Sequence, residues 1–170
     1  MGEHQYFPHG ANPEPCNRLF AQYHSPQTQN MKDEILKQLC SANCKLRVVF
    51  ATMALGMGVN IPNIRCVIHF GVPGSVRQYY EEIGRAGRDY KPARAILYYN
   101  NRDISSNRKG IGDDIRLYCR KNDECLRKCI LTAMEANKQD VVSVLPGHLC
   151  CSYCNKKCNC LNCKLENLGH

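Results

Sequence analysis

Two arginines with only alanine and glycine between them stand in Gly84-Arg85-Ala86-Gly87-Arg88-Asp89. Small spacers let a backbone come close to a ligand, and a planar guanidinium can deliver positive charge to a phosphate as its bond breaks. Taken alone, Gly-Arg-x-Gly-Arg reads better as a solvated basic turn after a helix; its setting within an alternation of strands and helices reverses that preference. A second chemical group is a run of thiols. Of 13 cysteines, nine follow Leu117 and six lie between Cys150 and Cys163. Cys151-x2-Cys154 with Cys158, Cys160 and Cys163 offers more thiolates than one tetrahedral ion needs, and zinc is the favoured occupant of a closed sulfur site.

The compartment bears on that reading. Residues 1–10 show no charged-then-apolar leader and no apolar run approaches a membrane span, so export is unsupported and no membrane partner is expected. In a reducing compartment clustered cysteines read as metal ligands rather than disulfides. With 170 residues, 44% apolar and 22% charged, the chain can bury a core, and its length suits one truncated lobe plus a small stapled module. A net charge of +8 suits a phosphate-facing surface without proving one.

The elements that must position these groups follow from periodicity. Met31, Ile35, Leu36 and Leu39 share one face of a helix over 31–39. Residues 46–51 form a short apolar run with β-branched members, read as a buried strand feeding the glycine-containing loop 55–60. A second strand is expected at 66–70, closed by Gly71, Pro73 and Gly74. Ser75 stands three residues before Gln78, a capping box that starts a helix over 75–82. A third strand is expected at 93–99. Helix, strand, loop, strand, helix, strand argues for a parallel α/β sheet. The polar stretches 100–103 and 109–110 mark a boundary, giving domains 1–103 and 104–170. Residues 113–120 and 123–135 read as two helices, each begun by an aspartate able to cap free amides. Residues 1–21 read as a loop whose preceding strand is missing, and nothing after Leu145 looks regular.

With these residues in place, the chain resembles the RecQ family of superfamily 2 helicases. Phe50-Ala51-Thr52-Met53-Ala54-Leu55-Gly56-Met57-Gly58-Val59-Asn60-Ile61-Pro62 is similar to that family's motif V, and Tyr79-Tyr80-Glu81-Glu82-Ile83-Gly84-Arg85-Ala86-Gly87-Arg88-Asp89 to its motif VI. The resemblance implies a RecA-like helicase C-terminal lobe, incomplete at its start, followed by a small helical zinc-binding subdomain. It implies that Arg88 is the arginine finger and Arg85 a second phosphate-facing group. Thr52 and Asn60 would lie near the DNA backbone and the lobe interface, with Asn60 and position 81 beside the nucleotide. It further implies ATP with Mg2+ as cofactor, DNA single strands and duplex junctions as partners, 3′ to 5′ unwinding, a nuclear location, and work in repair and recombination. The family has glutamine where this chain has Glu81, and a carboxylate there would repel phosphate and weaken coupling.

For the metal, the resemblance implies one ligand from a helix and three from a distal loop. That nominates Cys125 on the helix, with Cys151, Cys154 and either Cys150 or Cys158 from the loop. Cys119 and Cys129 read as small apolar groups on helix faces. His148 could replace one sulfur, and Cys160 and Cys163 are either spare or bind a second ion. The family's aromatic-glycine end of the ligand helix is replaced by Thr132-Ala133-Met134-Glu135. Arg116, Arg120, Arg127 and Lys128 form a basic helical surface that could meet DNA phosphates, a solvated face being an equal reading for any one of them.

No Gly-Lys dipeptide occurs, so these residues hold no P-loop, and neither Asp33-Glu34 nor Asp123-Glu124 continues into an Asp-Glu-x-His box. Both belong to the family's first lobe. The chain is expected not to hydrolyse ATP alone and to need a separate or missing first RecA-like lobe. Two rival readings remain: a non-catalytic DNA-binding zinc module derived from a helicase, and a metal-buffering protein with several loosely held ions.

Overall fold

A computed structural model of the chain describes residues 5–41, 43–52, 60–135 and 146–162. Of the glycine-containing loop 55–60 only Asn60 is described, and Cys163 also lies outside these residues. The chain divides into two compact units interleaved in sequence, Met1–Val67 with Glu82–Ile96 and Ile68–Glu81 with Leu97–His170.

The first unit contains a βαβ arrangement. β1 (Phe20–Tyr23) and β2 (Val48–Ala51) pair in parallel, Phe20 opposite Val48 and Tyr23 opposite Ala51, and α1 (Gln29–Leu39) connects them. Strand alternation turns Ala21 and Tyr23 inward, where they meet Ile35 and Leu46, with Leu36, Leu39, Cys44 and Val49 around them. The expected helical face thus packs as predicted through Ile35, Leu36 and Leu39, while Met31 is exposed.

Two expectations change here. Residues 1–21 read as loop in sequence, yet the last two begin β1; Phe20-Ala21-Gln22-Tyr23 is too short to show a period and is identified only by its partner strand. The run 46–51 reads as a buried strand, but Val48 is 50% exposed and Phe50 60% exposed. Of β2 only Val49 packs against the core around Ile35, so an apolar composition does not imply cover on both faces.

β3 (Cys66–Phe70) and β4 (Arg94–Tyr98) form a second pair. At one end the Arg94 amide donates to the Arg65 carbonyl and at the other Gly71 donates to Tyr98, so both strands run the same way. The observed order matches the expected alternation, with β1 added before it.

In the second unit α2 (Val76–Ile83) begins where the capping box sets it. Ser75 Oγ accepts from the Gln78 amide at 3.1 Å, and Gln78 Oε1 accepts from the Gly74 amide at 2.9 Å. Asp114 Oδ2 accepts from the Val76 amide at 2.8 Å, adding a carboxylate at the positive end of the helix. That differs from the expectation that the aspartates cap their own helices: the N-cap of α3 (Asp113–Arg120) is Gly112, with no side-chain bond. Tyr79 is buried, with its ring 5.1 Å from His69 and 5.7 Å from Tyr118. Burial pushes both phenols above the ordinary tyrosine value, so they pack as neutral rings.

α4 (Leu126–Ala133) starts later than expected, with Cys125 as its N-cap, because Asp123 and Glu124 turn to the Lys121 ammonium instead. Beyond it the irregular tail expected after Leu145 holds two short helices, α5 (Gly147–Cys150) and α6 (Ser152–Lys157). Neither is long enough to show a 3.6-residue period, which is why sequence reading passed over them. Among the described residues no helix is long and apolar enough to cross a membrane.

Candidate functional site

The arginine hexad forms the turn that follows α2. The amides of Arg85 and Ala86 bond back to the carbonyls of Glu82 and Ile83, so the helix winds down through the first arginine. Gly87 then adopts φ +72°, a left-handed conformation that favours glycine. Its amide donates to Ile64 at 3.0 Å, and its carbonyl accepts from Tyr90 at 2.9 Å. A β-carbon here would lie 3.1 Å from the Lys91 carbonyl and 3.2 Å from the Ala93 side chain. The second glycine is therefore required by the turn itself.

Arg88 is exposed. Its Nη1 donates to Asn60 Oδ1 and its Nε to the Gly84 carbonyl, each at 3.4 Å. Such lengths are at the loose end of hydrogen bonding. Residues from the two sequence motifs thus meet: Asn60 from the first and Arg88 from the second. Arg85 is half-buried on the same turn. Thr52 sits at the exposed end of β2, its amide donating to the Tyr23 carbonyl at 3.1 Å. Glu81, expected beside the nucleotide, belongs to the other compact unit, where its carboxylate receives Arg77 Nε at 3.3 Å one helical turn away.

Arg65 is a residue that sequence reading missed. Its Nη2 contacts the Asp89 carboxylate and also donates to the Pro62 carbonyl at 3.1 Å, while Nη1 donates to Pro92 at 3.2 Å. One guanidinium thereby fastens the end of the hexad to the chain on both sides of it. The Arg65 hydrogen bond holds the Asp89 carboxyl below the usual carboxylate range. Nothing local in the sequence links positions 65 and 89, since the tie arises only when β3 and the hexad turn come together.

The basic helical surface is corrected at one position. Arg116 is 9% exposed and faces inward. It pairs with Asp113 at 2.9 Å and donates to the carbonyls of Arg108 at 2.8 Å and Ser106 at 3.5 Å. Arg116 therefore orders the 106–108 turn and cannot also face a phosphate. Its period along α3 matched that of Arg120, but the face it occupies is the one carrying the fully buried Ile115. Arg120, Arg127 and Lys128 remain exposed.

Four thiols converge where α4 meets the tail. The Sγ atoms of Cys125, Cys150, Cys151 and Cys154 all lie within 4.8 Å of one another. Cys125 is 3.6 Å from Cys150 and 3.9 Å from Cys151. A tetrahedron of sulfurs about 2.3 Å from zinc has edges of about 3.8 Å, so these separations fit that ion. The helix caps set the geometry: Cys125 precedes α4, and Cys151 precedes α6 and accepts from the Cys154 amide at 3.5 Å. Burial pushes the Cys151 thiol up, but hydrogen bonds from the amides of Cys154 and Leu126 and from neighbouring thiols outweigh it and bring it down to about 7. Burial and the hydrogen bonds of the neighbouring thiols push Cys154 up, so within the group Cys154 holds its proton where Cys151 gives its up. Burial raises Cys119 and Cys129 to about 11, as expected of thiols that pack rather than ligate.

Cys158 is not in this group. It caps the far end of α6, seven residues from Cys151, a helical span of about 10 Å that one ion cannot bridge. Its neighbours are His148 and Cys160.

Comparison with known proteins agrees with the motifs. Residues 11–90 match the helicase conserved C-terminal domain. ATP-dependent DNA helicase Q-like 2 of Arabidopsis thaliana is 30% identical over 155 residues, covering 85% of this chain and 19% of that protein. ATP-dependent DNA helicase RecQ of Pasteurella multocida is 42% identical over 83 residues, 49% of this chain and 13% of that protein. The chain belongs to the RecQ helicase family. Among solved structures, Mycobacterium smegmatis helicase Lhr bound to ssDNA and AMP-PNP gives a TM-score of 0.46 at 24% identity, over 56% of this chain and 12% of that one. The RecQ-family segment described here spans less than a fifth of either curated relative. Asn60 of one RecQ motif and Arg88 of the other meet within this segment.

Proposed function

We propose that the chain supplies the second-lobe half of an ATP-dependent 3′ to 5′ DNA helicase, with domains 1–103 and 104–170 as the lobe and a zinc-bound subdomain. The observation that carries the proposal is the exposed Arg88 guanidinium, hydrogen-bonded to Asn60 across two sequence motifs. In this reading ATP and Mg2+ are held by a first RecA-like lobe, encoded in the same polypeptide or another. Arg88 reaches the γ-phosphate across the closed cleft and stabilises charge in the transition state, with Arg85 as a second phosphate-facing group. Lobe closure and reopening then move the pair along one DNA strand. Thr52, Arg120, Arg127 and Lys128 contact the backbone in a sequence-blind way. In a eukaryotic cell the substrate places this work in the nucleus, in repair and recombination. Glu81, paired with Arg77, tempers coupling less than an unpaired carboxylate would.

The subdomain is held by one structural zinc on Cys125, Cys150, Cys151 and Cys154. Their sulfur separations fit the ion, and so short a tail buries too little apolar surface to fold without it. When bound, the metal crosslinks α4 to α5 and α6; it takes no part in hydrolysis.

The test is DNA-stimulated ATP turnover with a first lobe that carries the P-loop, joined to this chain or added to it. Turnover is expected, and Arg88→Ala should lower kcat by about 10³-fold, the smallest loss typical of an arginine finger. Undiminished turnover in that variant overturns the assignment. DNA retention with no turnover in any pairing favours the non-catalytic DNA-binding module.

A further inference from the structure

The tail contains a second convergence of ligand atoms that shares no residue with the four-thiol group. His148 Nδ1 lies 3.1 Å from Cys160 Sγ and 3.7 Å from Cys158 Sγ, and the three atoms are mutually within 4.8 Å. A neutral imidazole nitrogen has either one proton or one lone pair, so a hydrogen bond satisfies one of these sulfurs and leaves the other. Two sulfurs and one nitrogen around a common centre satisfy all three at once. With bonds of about 2.3 Å to sulfur and about 2.05 Å to nitrogen, a tetrahedral ion separates nitrogen from sulfur by about 3.6 Å, a value bracketed by the two contacts.

The surroundings suit such a site. All three residues are half-buried, so the ligands are partly desolvated without being sealed off. His148 comes from α5, while Cys158 and Cys160 follow the end of α6. Gly147, beside the histidine, leaves room for the sulfur: a β-carbon there would stand 3.3 Å from Cys158 Sγ and 3.3 Å from the Cys154 carbonyl.

We propose that His148, Cys158 and Cys160 bind a second metal ion of the zinc class, independent of the four-thiol site. Mixed nitrogen and sulfur donors select zinc over hard cations. Three protein ligands leave one coordination position for water, which makes this the open and more exchangeable of the two sites. Its ion would fasten the end of α6 to α5, whereas the four-thiol site fastens the beginning of α6 to α4.

The measurement is zinc content of the whole chain by mass spectrometry of the metal, after purification with a phosphine reductant and equilibration in excess zinc followed by desalting. Two zinc ions per chain are expected, falling to one in His148→Ala and in Cys158→Ser, with far-UV ellipticity retained. Cobalt replacement of the wild-type chain removes dependence on those variants folding: two successive sets of bands are expected, one of four-sulfur character and one with weaker sulfur charge transfer. A single equivalent with only the four-sulfur spectrum overturns the second site and leaves the first standing. A single equivalent that survives Cys125→Ser but is lost in His148→Ala sinks the first site and supports the second. Two equivalents that persist in Cys158→Ser also overturn the proposal.

Discussion

Gly87 and Asp89 shape the hexad from within, and each can be tested apart from catalysis. Replacing Gly87 by alanine forces a side chain into φ +72° against the Lys91 carbonyl. The expected cost is about 1–2 kcal/mol, read as a lowered thermal midpoint. For Asp89 the sign follows from its depressed pKa. The ion pair with Arg65 stabilises the fold above the unfolded carboxylate value and loses that contribution as pH falls through the folded value. Wild type and Asp89→Asn should therefore differ in thermal midpoint near neutrality, and the gap should close below about pH 4. A constant gap across that range would remove Asp89 ionisation as the cause.

Among the elements, α2 carries the hexad, and its first turn holds the hydrogen bonds that fix where it begins. Ser75→Ala removes the acceptor for the Gln78 amide and should cost about 1 kcal/mol in chemical denaturation. The α3 helix gives a sharper contrast, because two of its arginines look alike in sequence. Arg116→Ala strips the Arg108 and Ser106 carbonyls of a buried donor and should cost about 1–3 kcal/mol. It should leave the salt dependence of DNA binding unchanged. If that variant instead shifts DNA binding while keeping full stability, the inward placement of Arg116 is wrong.

For the whole molecule, net charge of +8 becomes a statement about binding once it is known which cations face outward. Loss of two phosphate contacts in Arg127→Ala with Lys128→Ala should reduce the slope of log affinity against log salt on duplex DNA by about 1.8. An unchanged slope assigns those residues to a solvated face. Removal of metal by a strong chelator should unfold the tail, with loss of far-UV ellipticity, since its two short helices, α5 and α6, have no buried side chains of their own.

How much of this was legible beforehand differs by kind of information. The hexad, the capping box at Ser75 and Gln78, the apolar face of α1 and the alternation of strands and helices are all local patterns, and local chemistry determines them: cap geometry, helical period and spacer size act within a few residues. The nomination of Cys125 and the cysteine tail also came from sequence. What tertiary structure decided is everything that depends on which distant groups meet. Arg65 ties to Asp89, Arg116 turns inward, Asp114 caps a helix 38 residues away in sequence, and Cys150 rather than Cys158 joins Cys125. Each was undecided in the linear chain because several candidates of equal chemistry compete, and only the path of the backbone brings one of them within bonding distance.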